Sequence, residues 1–309
     1  MSVDKKKKLS GVFPILATPF KEDGSVDFDS LRELIRFELK AKVDGLGLFG
    51  MASEAYTLLE SEKSEITEVI NDEIKGRIPL IFGSGHTSAE GAVQLSLKAQ
   101  RDGASALMIM APSMAKPDGK RLYEYFAKIA NAVDVPIMIQ DAPIASGVNI
   151  PAALIAKLAK EFENIQYVKV EAPPTLTKIT EIQEATHGDV AIFGGMNGMY
   201  MYEEFCRGAV GTMPACEFPD ITVAIYKEFK AGNYAKAREL FYKYLPMIRI
   251  GTIPNFAMSV HKEILKKGGV IQSAYVRNPN APMDDVMKKE AFDTVIDCEL
   301  LALKWKELK

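Results

Sequence analysis

Apolar runs of four to six residues recur through most of this chain, and each is followed by a stretch with helical periodicity. The runs fall at 12–16, 45–49, 79–82, 106–110, 136–139, 165–170, 190–193 and 209–213. The helical patterns between and after them fall at 28–42, 61–74, 89–101, 121–132, 152–160, 176–185, 199–206 and 221–230. Runs that are apolar at every position, such as Ala106-Leu107-Met108-Ile109-Met110, suit strands buried on both faces, and so a parallel sheet covered by helices. Eight strand–helix units predict a closed (β/α)8 TIM barrel, with an open doubly wound sheet as the competing arrangement. From Tyr234 onward the pattern reads as three further helices without strands. The expected division is a catalytic barrel over 1–231 and a helical extension over 232–309 packed on it, with no low-complexity linker between them.

Composition narrows the functions open to such a barrel. The 309 residues are 48% hydrophobic and 26% charged, enough apolar content for one large core. A formal net charge of -3 lacks the basic footprint of a nucleic-acid binder. No apolar run approaches the ~20 residues that span a membrane. Cys206, Cys216 and Cys298 are scattered, which predicts neither a disulfide framework nor a zinc site, and a reducing, cytoplasmic setting. Residues 5–8 are all lysine and precede no signal-type apolar core, so they read as a frayed basic end.

Barrel enzymes place their chemistry at the carboxyl ends of the strands. In the sixth run, side-chain alternation puts Tyr167, Lys169 and Glu171 on one face. Lysine is rarely buried without a partner, and a desolvated lysine gives up its proton and attacks carbonyls. An exposed edge strand would let the ammonium snorkel; the closed end of a barrel leaves little room for that. The other strand ends carry Thr18, the Met51-Ala52-Ser53-Glu54 stretch, His86, Ser113 and Met114, Gln140 and Asp141, and Gly195-Met196-Asn197. His187 and His261 read as surface or interface residues, and Met110, Met114, Met196, Met199 and Met201 as core filling.

Several short motifs occur in a fixed order: Thr18-Pro19-Phe20 with Asp23-Gly24-Ser25-Val26-Asp27, then Gly50-Met51-Ala52-Ser53-Glu54 with Thr57, Leu58 and Glu62. Val135-Pro136, Val168-Lys169 and Gly194-Gly195 complete the set. Together they make the chain resemble the dihydrodipicolinate synthase/N-acetylneuraminate lyase family of class I aldolases over essentially its whole length. That resemblance implies that Lys169 forms a Schiff base with the keto carbon of a 2-oxo acid, with no metal or organic cofactor. It also implies that Ala52 and Ser53 bind the substrate carboxylate through backbone N–H and hydroxyl donors, and that the chain is a homotetramer or homodimer. Thr18, Gly195 and Asn197 complete the expected binding set, Asn197 as a hydroxyl ligand or alternatively a helix N-cap.

The departures from the family pattern are as informative. The usual Gly-Thr-Thr-Gly-Glu is Gly50-Met51-Ala52-Ser53-Glu54 here, and the usual tyrosine at the end of the fifth strand is Gln140. The paired tyrosines of the synthase relay are replaced by Ser113 and Met114, and the arginine that grips a second carboxylate falls at Ala145. Synthesis of dihydrodipicolinate is therefore disfavoured. Ser53-Glu54, Gln140-Asp141-Ala142-Pro143 and the Lys169/Glu171 spacing resemble the sugar-acid branch of the family, which dehydrates 2-keto-3-deoxy acids. The expected chemistry is loss of a C3 proton from the Lys169 iminium and expulsion of the C4 hydroxyl. Glu171 is the acid/base candidate, its carboxyl moved toward neutrality by burial, or else an ion-pair partner of Lys169. Gln140 positions hydroxyl or water. Retro-aldol cleavage is the first alternative, and a binding or regulatory barrel without turnover the second.

Overall fold

A computed structural model describes residues 8–295 and 297–308; the lysines at 5–7 lie outside the described residues. Eight parallel strands follow one another around a single sheet: β1 (Gly11–Val12), β2 (Leu46–Leu48), β3 (Leu80–Gly83), β4 (Ala106–Met110), β5 (Ile137–Asp141), β6 (Ile165–Val170), β7 (Ala191–Gly194) and β8 (Gly211–Thr212). The seam closes through Ile15, which bridges Gly47 of β2 on one side and Ala215 on the other. The arrangement is the predicted TIM barrel.

β1 and β8 are shorter than their apolar runs because each run meets a proline, which has no N–H to offer the ladder. Pro14 and Pro214 still contribute as acceptors: the Pro14 carbonyl takes the Gly47 N–H at 2.8 Å and the Pro214 carbonyl takes the Ile15 N–H at 2.7 Å. The chains also come very close at this seam. A Cβ on Gly211 would lie 2.3 Å from the Gly11 carbonyl oxygen, so no larger residue fits there.

The barrel helices are α1 (Phe28–Ala41), α2 (Glu60–Ile74), α3 (Ala89–Arg101), α4 (Gly119–Ala130), α5 (Pro143–Ser146), α6 (Ala152–Glu161), α7 (Thr175–Thr186), α8 (Met201–Cys206) and α9 (Pro219–Lys230). Their starts follow capping chemistry where it is present: Asp27, Ser88 and Asp118 each accept a backbone N–H from the first turn. Alternation along the strands then separates two cores. Val168, Val170 and Ile192 face the helices, whereas Phe13, Met108, Met138, Tyr167, Phe193 and Met213 fill the barrel interior. Phe193 meets Phe13 edge-on at 5.5 Å, and the Tyr167 hydroxyl accepts the Leu9 N–H at 2.9 Å, closing the floor. Lys169 stands one step above Tyr167, on top of this packed interior.

The C-terminal region forms α10 (Tyr234–Ile250), α11 (Ala257–Gly268), α12 (Asp285–Val295) and a four-residue α13 (Leu301–Lys304). The first three match the helices expected from sequence; α13 is too short to show a period. α10 lies along α9 and stacks Phe241 on Tyr202 of α8 at 6.3 Å. Trp305 meets Phe37 of α1 edge-on at 5.4 Å and donates its indole N–H to Glu33. No helix among the described residues is long and apolar enough to cross a membrane.

Candidate active site

Strand register sets the heart of the site. Gln140 of β5, Lys169 of β6 and Phe193 of β7 are lateral neighbours at one level of the barrel. Lys169 is 4% exposed, so its ammonium does not reach solvent by snorkelling. Its Nζ lies 3.4 Å from Oε1 of Glu171. The Gln140 Nε2 donates to Oε2 of Glu171 at 2.7 Å, and the Met196 N–H donates to Oε1 at 3.3 Å. Gly195 makes this packing possible: a Cβ there would sit 2.3 Å from the Glu171 Cγ.

These contacts correct one expectation. Burial does push the Glu171 pKa up, but Lys169, the Gln140 amide and the Met196 N–H together outweigh it and hold the carboxyl below its usual range. The ionised form of Glu171 is therefore the favoured one in the free protein. A second carboxyl nearby behaves oppositely. Glu204 of α8 is fully buried, and burial, with the Glu171 charge adding to it, moves its pKa up to about 8. Below that value Glu204 is neutral beside an ionised Glu171. Asp141, behind Gln140, is buried with Lys178 at 3.4 Å, and burial raises its pKa as well.

Across the mouth, side chains expected to meet the substrate are committed to backbone. Ser53 is 2% exposed; its hydroxyl donates to the Leu16 carbonyl at 2.6 Å and its N–H to Gly50 at 3.2 Å. The hydroxyl is thus engaged with backbone, where the resemblance implied a substrate carboxylate. The Thr18 hydroxyl donates to the Ser53 carbonyl at 2.7 Å. Asn197 accepts the Ala215 N–H at 2.9 Å and donates to the Ile248 carbonyl at 3.0 Å, a strut between the β8 loop and α10. It has a left-handed backbone inside a 3₁₀ turn, so it is no helix N-cap. Ala52 lies in the 3₁₀ turn Met51–Ser53 and packs on the barrel-interior cluster. The N–H groups of Met51 and Ala52 open that turn, where no intrahelical acceptor exists for them.

A cavity of about 460 Å³ opens beside these residues. Gly50, Met51, Met108, Met110, Ser113 and Gln140 line its mouth, and it runs on between α2 and α3. It meets the Lys169–Glu171 pair through Gln140. His86 lines the same cavity, with its Nδ1 accepting the Ser88 N–H at 3.0 Å. Met114, expected in the core, is 87% exposed.

Sequence reasoning missed the buried charges that hold the mouth together. His261, expected at the surface, is 3% exposed and lies 2.7 Å from Glu217. Glu54 accepts from Lys262, and both are buried; burial lowers the Lys262 pKa to about 8, with Glu54 opposing the shift. Glu217 lies 44 residues before His261 and Glu54 lies 208 residues before Lys262, so no local pattern pairs them. Among the described residues, no group of three or more His, Cys, Asp or Glu side chains could hold a metal ion.

Comparison with known proteins matches residues 8–297 to the dihydrodipicolinate synthetase family. An L-2-keto-3-deoxyarabonate dehydratase of Azospirillum brasilense is 29% identical over 302 residues, 96% of both chains. A 4-hydroxy-tetrahydrodipicolinate synthase of Chlorobaculum parvum is 32% identical over 281 residues, 91% of this chain and 94% of that one. The crystal structure of dihydrodipicolinate synthase from Rhodopseudomonas palustris superposes with a TM-score of 0.88 at 27% identity, covering 96% of this chain and 99% of the other.

Proposed function

This chain belongs to the dihydrodipicolinate synthetase family of lyases, and we propose that within it the chain is a Schiff-base-forming dehydratase of a 2-keto-3-deoxy sugar acid. The observation that carries this reading is the contact chain Gln140–Glu171–Lys169, in which an ionised carboxylate touches both the lysine and an amide. A proton shift from Lys169 to Glu171 frees the amine to attack the C2 carbonyl; the carbinolamine hydroxyl then leaves as water with that proton, which gives the iminium and returns Glu171 to its carboxylate. That cation keeps Glu171 beside it, near C3, and Glu171 removes a C3 proton to give the enamine. The enamine expels the C4 hydroxyl, which leaves as water with the proton that Glu171 carries. Gln140 keeps an amide oxygen to accept from a substrate hydroxyl. Met51 and Ala52 offer backbone N–H groups to the substrate carboxylate, and Ser53, Thr18, Gly195 and Asn197 shape the site behind them.

Cleavage of C3–C4 would need a base on the C4 hydroxyl, and the amide of Gln140 cannot take a proton. Relatives named as synthases are about as similar as the dehydratase. Against synthase activity stand Ser113, Met114 and Gln140 at the positions of the hydroxyl relay and Ala145 at that of the arginine clamp. A homo-oligomer fits the exposed Met51 and Tyr56 at the cavity and the exposed Met114, and sedimentation tests it.

Intact mass after incubation with 2-keto-3-deoxyarabonate and borohydride tests the reaction. The expected adduct is lighter by one water than the reduced full-length adduct and maps to Lys169. A pyruvate-sized adduct would replace dehydration by retro-aldol cleavage. A full-length adduct without turnover would make the chain a binding barrel for this acid, and no adduct even with pyruvate would end the Schiff-base reading.

A further inference from the structure

We propose that the C-terminal region sets the affinity for the 2-oxo acid carboxylate, through a buried clamp in which Lys262 of α11 and Asn280 of the loop before α12 hold Glu54 and so position the Met51–Ala52 turn. The proposal rests on the reading of that turn as the carboxylate cradle.

Glu54 closes the cradle. Its N–H bonds the Met51 carbonyl at 2.9 Å, and its backbone is left-handed, with φ 53. That conformation is uphill for any residue with a Cβ, and it persists only where surroundings enforce it. Here the enforcement comes from the side chain, which is fully buried and accepts from three C-terminal donors. Oε1 takes the Lys262 ammonium, and Oε2 takes the Arg277 N–H at 3.0 Å and the Asn280 Nδ2 at 2.8 Å. The clamp reaches the neighbouring loop too. Lys262 and Arg277 lie over the Phe20 ring at 4.2 Å and 4.3 Å. Phe20 follows two residues after Thr18, whose hydroxyl holds the Ser53 carbonyl. The same cations therefore fix both loops that meet at the cradle.

A charge pair that only stabilised the fold would affect every ligand of the site alike. A clamp on the cradle affects the carboxylate and spares the carbonyl. Lys262 and Asn280 are positioning residues in this sense, acting through Glu54.

The test compares borohydride trapping on Lys169 by pyruvate and by pyruvamide, which has the same keto group and no carboxylate. In Lys262→Met the pyruvate concentration for half-maximal trapping should rise by about tenfold, with pyruvamide changed by less than about twofold and the maximal trapping rate retained. Asn280→Ala removes one neutral donor and should raise the pyruvate value by about threefold; it decides the matter if Lys262→Met fails to fold. Equal changes for the two probes, or none for either, would overturn the clamp while leaving the Schiff base intact. A wild-type protein that forms no pyruvate adduct would overturn the site reading and the clamp with it, before any variant is made.

Discussion

Along β5 and β6 the polar side chains face one another; around the β2 and β7 loops they turn into the backbone. Gln140, Lys169 and Glu171 make a chain of side-chain contacts. Ser53, Thr18 and Asn197 direct their hydroxyls and amide at Leu16, Ser53, Ala215 and Ile248. The first wall has groups free to change partners during a reaction. The second is a frame whose side chains are committed to backbone. Under the proposed function, chemistry falls to side chains on strands and binding to backbone on loops, and substitutions on the two walls should separate in their effects.

The largest effect should come from Lys169→Ala, which removes the nucleophile: turnover of the sugar acid should fall by at least about 10⁴-fold, and the borohydride adduct should vanish. Thermal unfolding should show a folded protein, since losing a buried ammonium leaves the ionised Glu171 still held by Gln140 and Met196. Retained turnover would move the chemistry off β6 altogether. Glu171→Gln should come next, lowering kcat by about 10²- to 10⁴-fold and slowing formation of the adduct at Lys169, since Glu171 both frees the amine and takes the C3 proton. Unchanged adduct formation would show instead that another group readies the lysine for attack.

On the other wall the order of effects should invert. Asn197→Ala strands the Ala215 N–H and the Ile248 carbonyl and should cost about 1–3 kcal/mol of stability in urea denaturation. Half-saturation by pyruvate should change by less than about twofold. A large loss of affinity with unchanged stability would put Asn197 in contact with substrate and remove the distinction between the walls.

The same distinction explains what could be read from sequence. The strands and barrel helices were legible because their signal is periodicity, which is local: β4 and β6 match their apolar runs at both ends. Lys169 stood out because a charged residue in an apolar strand is conspicuous, and alternation places Glu171 with it. The roles of Ser53 and Asn197 were not legible, because a polar residue at a strand end looks the same whether it meets a ligand or a carbonyl. What decides is the partner, and Ile248 lies on a helix fifty-one residues further on. His261 and Lys262 were misread or passed over for the same reason, since their carboxylates lie 44 and 208 residues away in the chain. Even the protonation of Glu171 depended on a donor thirty-one residues away, in the next strand.

That last dependence supplies the smallest and most discriminating prediction. Glu171 is held below its usual range, so it remains ionised as pH falls through the value of an unfolded glutamate and protonates only lower. Activity that needs the carboxylate should persist over that window and fade on its acidic side, and any stability from its pairing should be lost over the same descent. Gln140→Leu removes the amide that favours the ionised form and leaves Lys169 and the Met196 N–H in place. The acidic limb of kcat/KM should then move to higher pH, with the alkaline side unmoved. A limb that stays where it is, with kcat lowered at every pH, would mean that Gln140 acts on the substrate rather than on Glu171. The strand wall would then be three separate contacts to the ligand, each answerable to substrate alone, instead of a carboxylate tuned by its two neighbours.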